Sequence, residues 1–443
     1  MNDLTRGNPT KLIMKFALPL FIGCIFQLCY SLADIWIIGD KLGDDSLAAV
    51  GSTSTLNDLI VGFLIGLTNG FAVITARYFG AKDEKKMRNS VAGAVMLGLI
   101  LSLIITVVST SFLPQILRLV NVPEEHIEEG SSYIIVILFG MTASMLYNVC
   151  ASVLRAIGDS VTPLIFLIVS VIMNVGLDVL FINVLDTGVS GAAIATVISQ
   201  SVSAVLCFIY IWRRYKILHL KREDFKISKA MLSELFACGI SMGLMQSLVS
   251  LGTVILQSAI NGLGTNIIVA HTAARKLTSF FMIPFAVFGT TMASYCGQNY
   301  GAGEYQRIKT GIRKSVIFSW IWCLGTILMS YTVVPVIIRL ITSTKIDEVV
   351  ETATLYLRID TLLYFIAATI SIYRNALQGI GDHRTPIISS GIELVGKTAA
   401  VLCLTPALGY MGIIITEPIV WALMVIPLIV SLHRNPVMRE KKE

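Results

Sequence analysis

Long apolar stretches separated by short polar connections run along the whole chain. Each stretch is about as long as the roughly 20 apolar residues that a membrane-spanning helix needs. The twelve stretches cover residues 12–38, 48–76, 89–113, 127–154, 161–183, 190–212, 231–260, 267–298, 311–338, 349–376, 385–404 and 410–432. Because they leave no room for a soluble domain, the pattern predicts an all-α polytopic membrane protein with twelve transmembrane helices. The first stretch is too long for a signal peptide and lacks a small-residue cleavage site, so we expect no cleaved leader.

The composition supports a membrane protein. Apolar residues make up 55% of the 443 residues, charged residues make up 14%, and the mean hydropathy is +0.77. A soluble domain averages about 25% charged residues. The eight cysteines all lie inside apolar stretches and form no CxxC pair, so the sequence predicts neither disulfides nor a zinc site.

Lysine and arginine are concentrated in alternate connections. The basic connections are the N-terminal arm, residues 77–88, residues 213–229, residues 307–314 and the C-terminal tail. By the positive-inside rule, both termini are then cytoplasmic and the number of spans is even. The net charge of +6 is therefore a topology signal, and we expect membrane lipid but no nucleic acid as a partner. No basic face is combined with stacking aromatic residues.

Three sequence matches at nearly one offset indicate an internal repeat. RAIGDSVTP at 155–163 recurs as QGIGDHRTP at 378–386, YFGA at 78–81 as NYGA at 299–302, and GVSGAAIAT at 188–196 as GYMGIIITE at 409–417. We predict an N-lobe of six helices at residues 1–212, a cytoplasmic linker at 213–230 and a C-lobe of six helices at 231–443. Because each half has an even number of spans, the lobes are parallel repeats, typical of transporters that rock around a central cleft.

Asp34 and Asp178 are carboxylates placed well inside apolar stretches of the N-lobe. Asp34 falls near the middle of the first helix, and Asp178 falls in the fifth. A charged side chain at bilayer depth costs roughly 3 kcal/mol on insertion scales. Asn174 shares a helix face with Asp178, and Thr196 lies in the sixth helix. Such oxygen ligands suit a hard cation such as Na⁺ or a shared proton, and the alternative is that Asp34 has only a structural partner.

Further polar side chains form stripes on the first helix of each lobe. Spacings of three and four place them on one helix face. The stripes consist of Gln27, Tyr30, Ser31 and Asp34 in the N-lobe, and of Gln246, Ser250, Thr253 and Gln257 in the C-lobe.

The charges of the C-lobe differ from those of the N-lobe. At the repeat offset, Asp34 is replaced by Gln257 and Asn174 by Lys397. Glu393 and Lys397 are four residues apart, so we expect them to pair. Glu417 stands where Thr196 stands, and it either contacts a cationic substrate or makes a local bond. We expect Arg275, Lys276 and His271 to be buried structural residues, and we expect ion coupling to lie in the N-lobe.

The chain resembles the multidrug and toxic compound extrusion (MATE) family over essentially its whole length. The resemblance rests on the first helix with Pro19, Tyr30 and Asp34, on the doubled IGD-x-x-TP signature, and on Asn174 and Asp178 followed by Thr196. It implies that residues Asp34, Asn174, Asp178 and Thr196 bind Na⁺ or exchange partners on protonation, and that the first helix bends near Pro19. A second family branch uses acidic residues in helices 7 and 10. Here helix 7 offers Gln246 and Gln257 and helix 10 offers Asp360, so that branch's C-lobe cation site is not expected.

The resemblance implies a secondary active multidrug efflux antiporter in the inner membrane of a prokaryote. It would export amphipathic, often cationic compounds in exchange for Na⁺ or H⁺ by alternating access. We expect a monomer with no cofactor beyond the coupling ion. The predicted substrate-cleft residues are Gln27, Tyr30, Ser31, Gln246, Ser250, Gln257 and Glu417.

Three other functions fit parts of the sequence. A flippase for lipid-linked precursors shares the doubled lobes, but it favours an arginine-rich cleft for pyrophosphate, and the central helices here hold few arginines. A passive channel is a second alternative. An intramembrane serine protease would use Ser241 in the GISMG pattern at 239–243 with His271 as its base. The glycines of this pattern, like those at 62, 66 and 70, are equally typical of close helix packing.

Overall fold

The computed structural model describes residues 3–119, 122–342 and 346–439. These residues form helices joined by short connections, and they contain no β-strand. The long helices are α1 (Pro9–Gly43), α2 (Ala48–Gly80), α3 (Glu84–Ser111), α4 (Glu124–Ala156), α5 (Val161–Asp178, extended as a π-helix over Val179–Val184), α6 (Val189–Arg214), α7 (Lys229–Asn261), α8 (Thr265–Gly301), α9 (Tyr305–Thr332), α10 (Asp347–Leu362 and Tyr364–Gly379), α11 (Arg384–Leu408) and α12 (Tyr410–Arg434). Shorter helices cover Leu113–Leu119, Val334–Thr342 and Pro436–Arg439.

In the described part of the chain, eleven of these helices are each long and apolar enough to cross a bilayer. The two halves of α10 make the twelfth span if they count as one, since they pass the same test together but are bent by 54° at their break. The counterpart of α10 in the first half of the repeat is α4, which begins and ends 223 residues before α10 does. Helix α4 is continuous. The repeat therefore identifies α10 as one broken span, and the predicted all-α fold with twelve transmembrane helices is confirmed.

One detail differs from the sequence prediction. The ninth predicted stretch, 311–338, is divided, because α9 ends at Thr332 and residues Val334–Thr342 form a separate helix. The bend near Pro19 stays a prediction. Helix α1 continues through Pro19, and the non-helical residue between α1 and α2 is Gly43. Its φ of 84° lies in the region that glycine adopts without strain.

The helices group into two compact units. Unit 1 contains Met14–Gly243, and unit 2 contains Thr5–Ile13 together with the chain from Leu244 onward. This grouping assigns residues 5–13 and 231–243 differently from the predicted ranges 1–212, 213–230 and 231–443. The predicted lobe boundaries remain a prediction based on the repeat.

Within unit 1, helices α2 and α7 approach each other through glycines. A Cβ atom on Gly70 would lie 2.5 Å from the carbonyl oxygen of Cys238, and one on Gly243 would lie 2.8 Å from the Phe63 ring. The GISMG pattern is thus explained by close packing of two helices, with Ser241 buried between its glycines.

The two IGD-x-x-TP segments form the same turn in both units. Asp159 Oδ1 accepts from the backbone N–H of Thr162 at 3.0 Å, and Asp382 Oδ1 accepts from that of Thr385 at 3.0 Å. These bonds satisfy N–H groups that lack partners at the starts of α5 and α11. The repeated sequence therefore encodes a helix cap that is also repeated.

The connection between α6 and α7 is attached to the start of α3. Asp224 lies 3.5 Å from Arg88 Nε, and its backbone carbonyl accepts from Asn89 Nδ2 at 2.7 Å. Asp224 also accepts from the backbone N–H of Lys221 at 2.8 Å. The basic linker predicted from the sequence is therefore an ordered part of unit 1.

Candidate functional site

Helices α1, α5 and α6 bring a set of polar side chains together inside unit 1. The amide of Asn174 is oriented so that Nδ2 donates to Asp178 Oδ2 at 3.1 Å and Oδ1 accepts from the Thr196 N–H at 3.0 Å. The Tyr30 hydroxyl lies 3.3 Å from Thr196 Oγ1. Residues that are widely separated in sequence thus form one connected group, called here the unit 1 group.

Asp34 and Asp178 each have a buried carboxylate oxygen that lacks a hydrogen-bond partner in the part of the chain that the structure describes. Asp178 is fully buried and Asp34 is half-buried. In the described residues, Asp34 Oδ1 and Asp178 Oδ1 have no donor, although the two side chains are close enough to interact electrostatically. Asp34 lies nine residues before the end of α1 rather than near its middle. A buried carboxylate oxygen without a donor is unfavourable unless a cation or proton satisfies it.

The surroundings of this group are apolar. A hydrophobic cluster packs around it, and its buried members include Ile37, Ile38, Tyr133 and Ile182. Tyr133 on α4 is within electrostatic range of Asp34 and Asp178. The sequence analysis did not identify Tyr133, because one tyrosine in an apolar helix is typical of an ordinary core position.

The unit 1 group offers oxygen atoms of several kinds. Together with the neighbouring Asp34, it offers two carboxylates, one amide oxygen and hydroxyls, which suit a hard monovalent cation or a proton. Among the described residues, no group of three or more His, Cys, Asp or Glu side chains is gathered as a metal site. Oxygen ligands of this kind suit Na⁺ or H⁺ better than a transition metal, which prefers nitrogen and sulfur ligands.

Unit 2 contains a buried chain of alternating charges. Glu417 lies 3.2 Å from Arg275 and 3.4 Å from Lys397. Lys397 lies 3.1 Å from Glu393, and Glu393 lies 3.3 Å from Arg374. The expected pairing of Glu393 with Lys397 is confirmed, but the sequence analysis missed Arg374, although it is a charged residue inside a predicted span.

The three residues that we expected to be structural have different environments. Arg275 pairs with Glu417, and His271 is buried with Nδ1 3.1 Å from the Tyr410 hydroxyl. Lys276 is exposed, so the prediction that it is buried is wrong. Glu417 also accepts a hydrogen bond at Oε2 from the Tyr356 hydroxyl, at 2.9 Å.

Asp360 lies at the break of α10. It is fully buried, and in the described part of the chain neither of its carboxylate oxygens has a hydrogen-bond partner. The hydroxyl of the neighbouring Tyr364 is bonded to Thr278 instead, at 3.4 Å. Asp360 also lies within electrostatic range of Glu417 and Arg275. The sequence placed Asp360 in helix 10. It did not predict that the helix breaks two residues after Asp360.

The predicted substrate-cleft residues have different environments within their units. Tyr30 belongs to the unit 1 group, whereas Gln27 and Ser31 are exposed on α1. Gln257 and Glu417 line one small pocket of unit 2. On α7, Ser250 is half-buried and Gln246 is exposed. The role of all seven in substrate binding remains a prediction.

The sequence matches one family model twice. The model, named MatE, matches residues 19–180 and again residues 241–402, so the second match begins 222 residues after the first. Together the two matches cover more than half of the chain. The chain belongs to the MatE family. The repeat is thereby confirmed, and because MatE family members are transporters, the chain is a transporter and not an enzyme.

Curated relatives of this MatE family member come from bacteria. The chain is 30% identical to the probable multidrug resistance protein YpnP of Bacillus subtilis (strain 168), over 69% of this chain and 68% of the relative. It is 24% identical to the multidrug export protein MepA of Staphylococcus aureus (strain MSSA476), over 94% of this chain and 90% of the relative.

Solved structures share the fold over nearly the full length. A crystal structure of MATE in the bent conformation is 25% identical, with a TM-score of 0.89 over 97% of this chain and 96% of that chain. An outward-facing multidrug resistance MATE family transporter of the MOP superfamily is 24% identical, with a TM-score of 0.91 over 99% and 98% of the two chains. At this identity the second likeness supports the fold alone.

Proposed function

We propose that this MatE family member is a secondary active multidrug efflux antiporter. It exports amphipathic, often cationic compounds in exchange for Na⁺ or H⁺ by alternating access. The names of its bacterial relatives, which are called multidrug resistance and multidrug export proteins, support the substrate class. The doubled fold supports the transport cycle.

One observation carries the ion-coupling part of the proposal. Asp34 and Asp178 each keep a buried carboxylate oxygen without a hydrogen-bond donor among the described residues, and Asp178 is bonded to Asn174, which also contacts Thr196. A Na⁺ ion or a proton would satisfy these oxygens, and its release would leave them unsatisfied again. Binding of the ion is therefore linked to the state of helices α1, α5 and α6.

The two glutamates of the charged chain in unit 2 are less suited to this task, and Asp360 has no hydrogen-bonded partner among the described residues that would complete an oxygen site around it. Glu393 and Glu417 are each paired with two cationic side chains within 3.4 Å. A cation entering there would have to displace lysine or arginine from these pairs. We accordingly assign the coupling ion to the unit 1 group.

The driving force is adequate for such an exchange. One charge moving through 100 mV releases about 2.3 kcal/mol, and a tenfold ion gradient adds about 1.4 kcal/mol. One inward cation therefore supports a drug gradient of roughly tenfold to a few hundredfold.

The test is efflux of a fluorescent cation from proteoliposomes under an imposed Na⁺ or pH gradient. Wild type is compared with Asp34→Asn and with Asp40→Asn, a matched change at an exposed aspartate of α1. We expect efflux that depends on one of the gradients, that is lost in Asp34→Asn and that is kept in Asp40→Asn. Gradient-driven efflux that persists in Asp34→Asn would make Asp34 a structural residue.

The same experiment separates the alternative functions. Absence of dye efflux from wild type under both gradients would count against an antiporter and favour the lipid-linked precursor flippase. Ion flux without dye exchange would favour a channel. We further propose that the protein acts as a monomer without a cofactor in the cytoplasmic membrane, surrounded by lipid, with both termini cytoplasmic.

A further inference from the structure

The charged chain of unit 2 has a positive side chain at each end. Its order is Arg275, Glu417, Lys397, Glu393 and Arg374, so three cations are linked to two carboxylates. The side chain of Arg275 is 27% exposed, whereas the other four side chains are at most 8% exposed. The surplus positive charge is therefore accessible at Arg275.

A small pocket adjoins this accessible end of the charged chain. Its volume of about 10 Å³ is on the order of the space that one water molecule needs. It would therefore admit the end of a polar group rather than a whole drug molecule. The polar residues that line it are Arg275, Thr253, Gln257, His271, Tyr356 and Glu417.

The pairing of Arg275 with Glu417 uses one edge of the guanidinium. Nη1 alone contacts both oxygens of Glu417, at 3.2 Å each. Glu417 is also bonded to Lys397 and Tyr356, so Arg275 shares this carboxylate with two other donors. Guanidinium groups bind carboxylate and phosphate oxygens strongly because several N–H donors lie in one plane.

Asp360 is the other acid that could balance the surplus charge. It is within electrostatic range of Arg275, but it is fully buried, and its oxygens have no hydrogen-bond donor in the described residues. No hydrogen bond joins Asp360 to Arg275, so Asp360 does not occupy the N–H donors of the guanidinium.

We propose that the Arg275 pocket binds an anionic oxygen group, a carboxylate or a phosphate, of an amphipathic ligand. The inference rests on the proposed efflux function and extends its substrates to zwitterionic compounds. Arg275 donates to the anionic group, while the rest of the ligand lies outside the pocket.

The test compares two dyes that differ in one group. Rhodamine 110 has a free carboxylate, and rhodamine 123 is its methyl ester. Binding of each dye to the purified full-length protein in phosphatidylcholine nanodiscs is measured by fluorescence polarisation. The variants are Arg275→Gln, Arg275→Lys, which keeps the charge, and Lys276→Gln, the same change at the adjacent exposed residue.

We expect Arg275→Gln to weaken rhodamine 110 binding about tenfold, the size of one charge-assisted hydrogen bond, and to change rhodamine 123 binding less than about twofold. Arg275→Lys should restore part of the loss, and Lys276→Gln should change neither dye. Equal weakening of both dyes, no weakening of either, or failure of wild type to bind rhodamine 110 would overturn the inference. Each of these outcomes leaves the efflux proposal standing if rhodamine 123 is still exported.

A second arm identifies the source of the anionic group. Nanodiscs that contain the anionic lipid phosphatidylglycerol are compared with nanodiscs of phosphatidylcholine alone. If the pocket holds a lipid phosphate, phosphatidylglycerol should compete with rhodamine 110. Binding of rhodamine 110 would then be weaker in the anionic nanodiscs for wild type, but not for Arg275→Gln. Unchanged binding would show that a lipid of net negative charge does not compete for the pocket, which favours the carboxylate of the transported compound.

Discussion

The phenol hydroxyl of Tyr215 donates to Asp159 Oδ2 at 2.6 Å. At the matching place in the second half, the hydroxyl of Ser431 donates to Asp382 Oδ2 at 2.6 Å. Since the other oxygen of each aspartate caps the next helix, each carboxylate connects the start of one helix to the end of the following one. The two halves use different donors for the same connection.

The capping aspartate of the second half gives a pH-dependent prediction. Burial raises the pKa of Asp382, but hydrogen bonds from Ser431, Thr385 and the backbone N–H of Arg384 outweigh it and hold the pKa below its ordinary value. A lowered pKa stabilises the folded state above the unfolded pKa, and this stabilisation is lost as the pH falls through the folded pKa. We expect Asp382→Asn to lower stability by about 1 kcal/mol at pH 7 and to lose less stability than wild type on acidification.

Thermal unfolding in detergent between about pH 7 and pH 3 measures this effect. Ser431→Ala removes only one of the hydrogen bonds to Asp382, so it should lower the melting temperature less than Asp382→Asn does. If the melting temperatures of wild type and Asp382→Asn fall equally with decreasing pH, the lowered pKa of Asp382 does not contribute to stability.

The hydroxyl of Thr196 connects the unit 1 group. It contacts both Tyr30 and Asn174 at 3.3 Å. Thr196→Val keeps the shape of the side chain but removes these bonds, so we expect ion-coupled efflux to fall about tenfold, which corresponds to one or two hydrogen bonds. Thr196→Ser should stay within about twofold of wild type.

Initial rates in proteoliposomes at a fixed gradient check the prediction for Thr196. Ser201→Ala is the control, because Ser201 lies on the same helix and its hydroxyl donates to the Val197 carbonyl of that helix. If Thr196→Val transports as fast as Ser201→Ala, the hydroxyl does not contribute to coupling.

The contact between α2 and α7 predicts a strict size limit at Gly70. A Cβ atom there would meet the backbone of Cys238 and Gly239 at 2.5 Å and 2.6 Å. Gly70→Ala should therefore destabilise the protein by about 1–3 kcal/mol through overpacking. Gly51→Ala is on the same helix, and no atom of the described residues lies within 4 Å of the added Cβ. This change should be neutral or stabilising by up to about 1 kcal/mol. Equal melting temperatures of the two variants would be evidence against the close approach.

Lys397 separates two buried glutamates. Its removal in Lys397→Met leaves Glu393 and Glu417 with one cationic partner each, so we expect a loss of about 3–5 kcal/mol in the free energy of unfolding. The double variant Glu393→Gln with Lys397→Met should recover part of this loss, which a double-mutant cycle measures. The exposed Lys276→Met should change stability by less than about 0.5 kcal/mol, and additive effects in the cycle would exclude direct pairing.

The sequence predicted the spans because a bilayer imposes one length of apolar helix on every crossing. It did not predict the break in α10, since residues 361–364 contain neither proline nor glycine, the usual causes of a kink. Helix α4, its counterpart, is continuous. The break therefore depends on tertiary packing around the buried residues on either side of Leu363.

The candidate site was partly predictable for a similar reason. Asn174 and Asp178 share a helix face, so helical periodicity placed them together. The pairing of Arg275 with Glu417 joins residues 142 positions apart, and periodicity contains no information on such a contact. The position of Tyr133 near Asp34 and Asp178 was also not predictable, because it depends on which helix packs against α1.

The opposite charge balance of the two units means that the halves are no longer interchangeable. A chain made of two copies of residues 1–212 would keep a capping aspartate at each turn. It would carry the carboxylates of Asp34 and Asp178 twice but none of the chain from Arg275 to Arg374. Duplication thus preserved the turns that shape the backbone, while the polar interior of each half diverged into a separate specialisation.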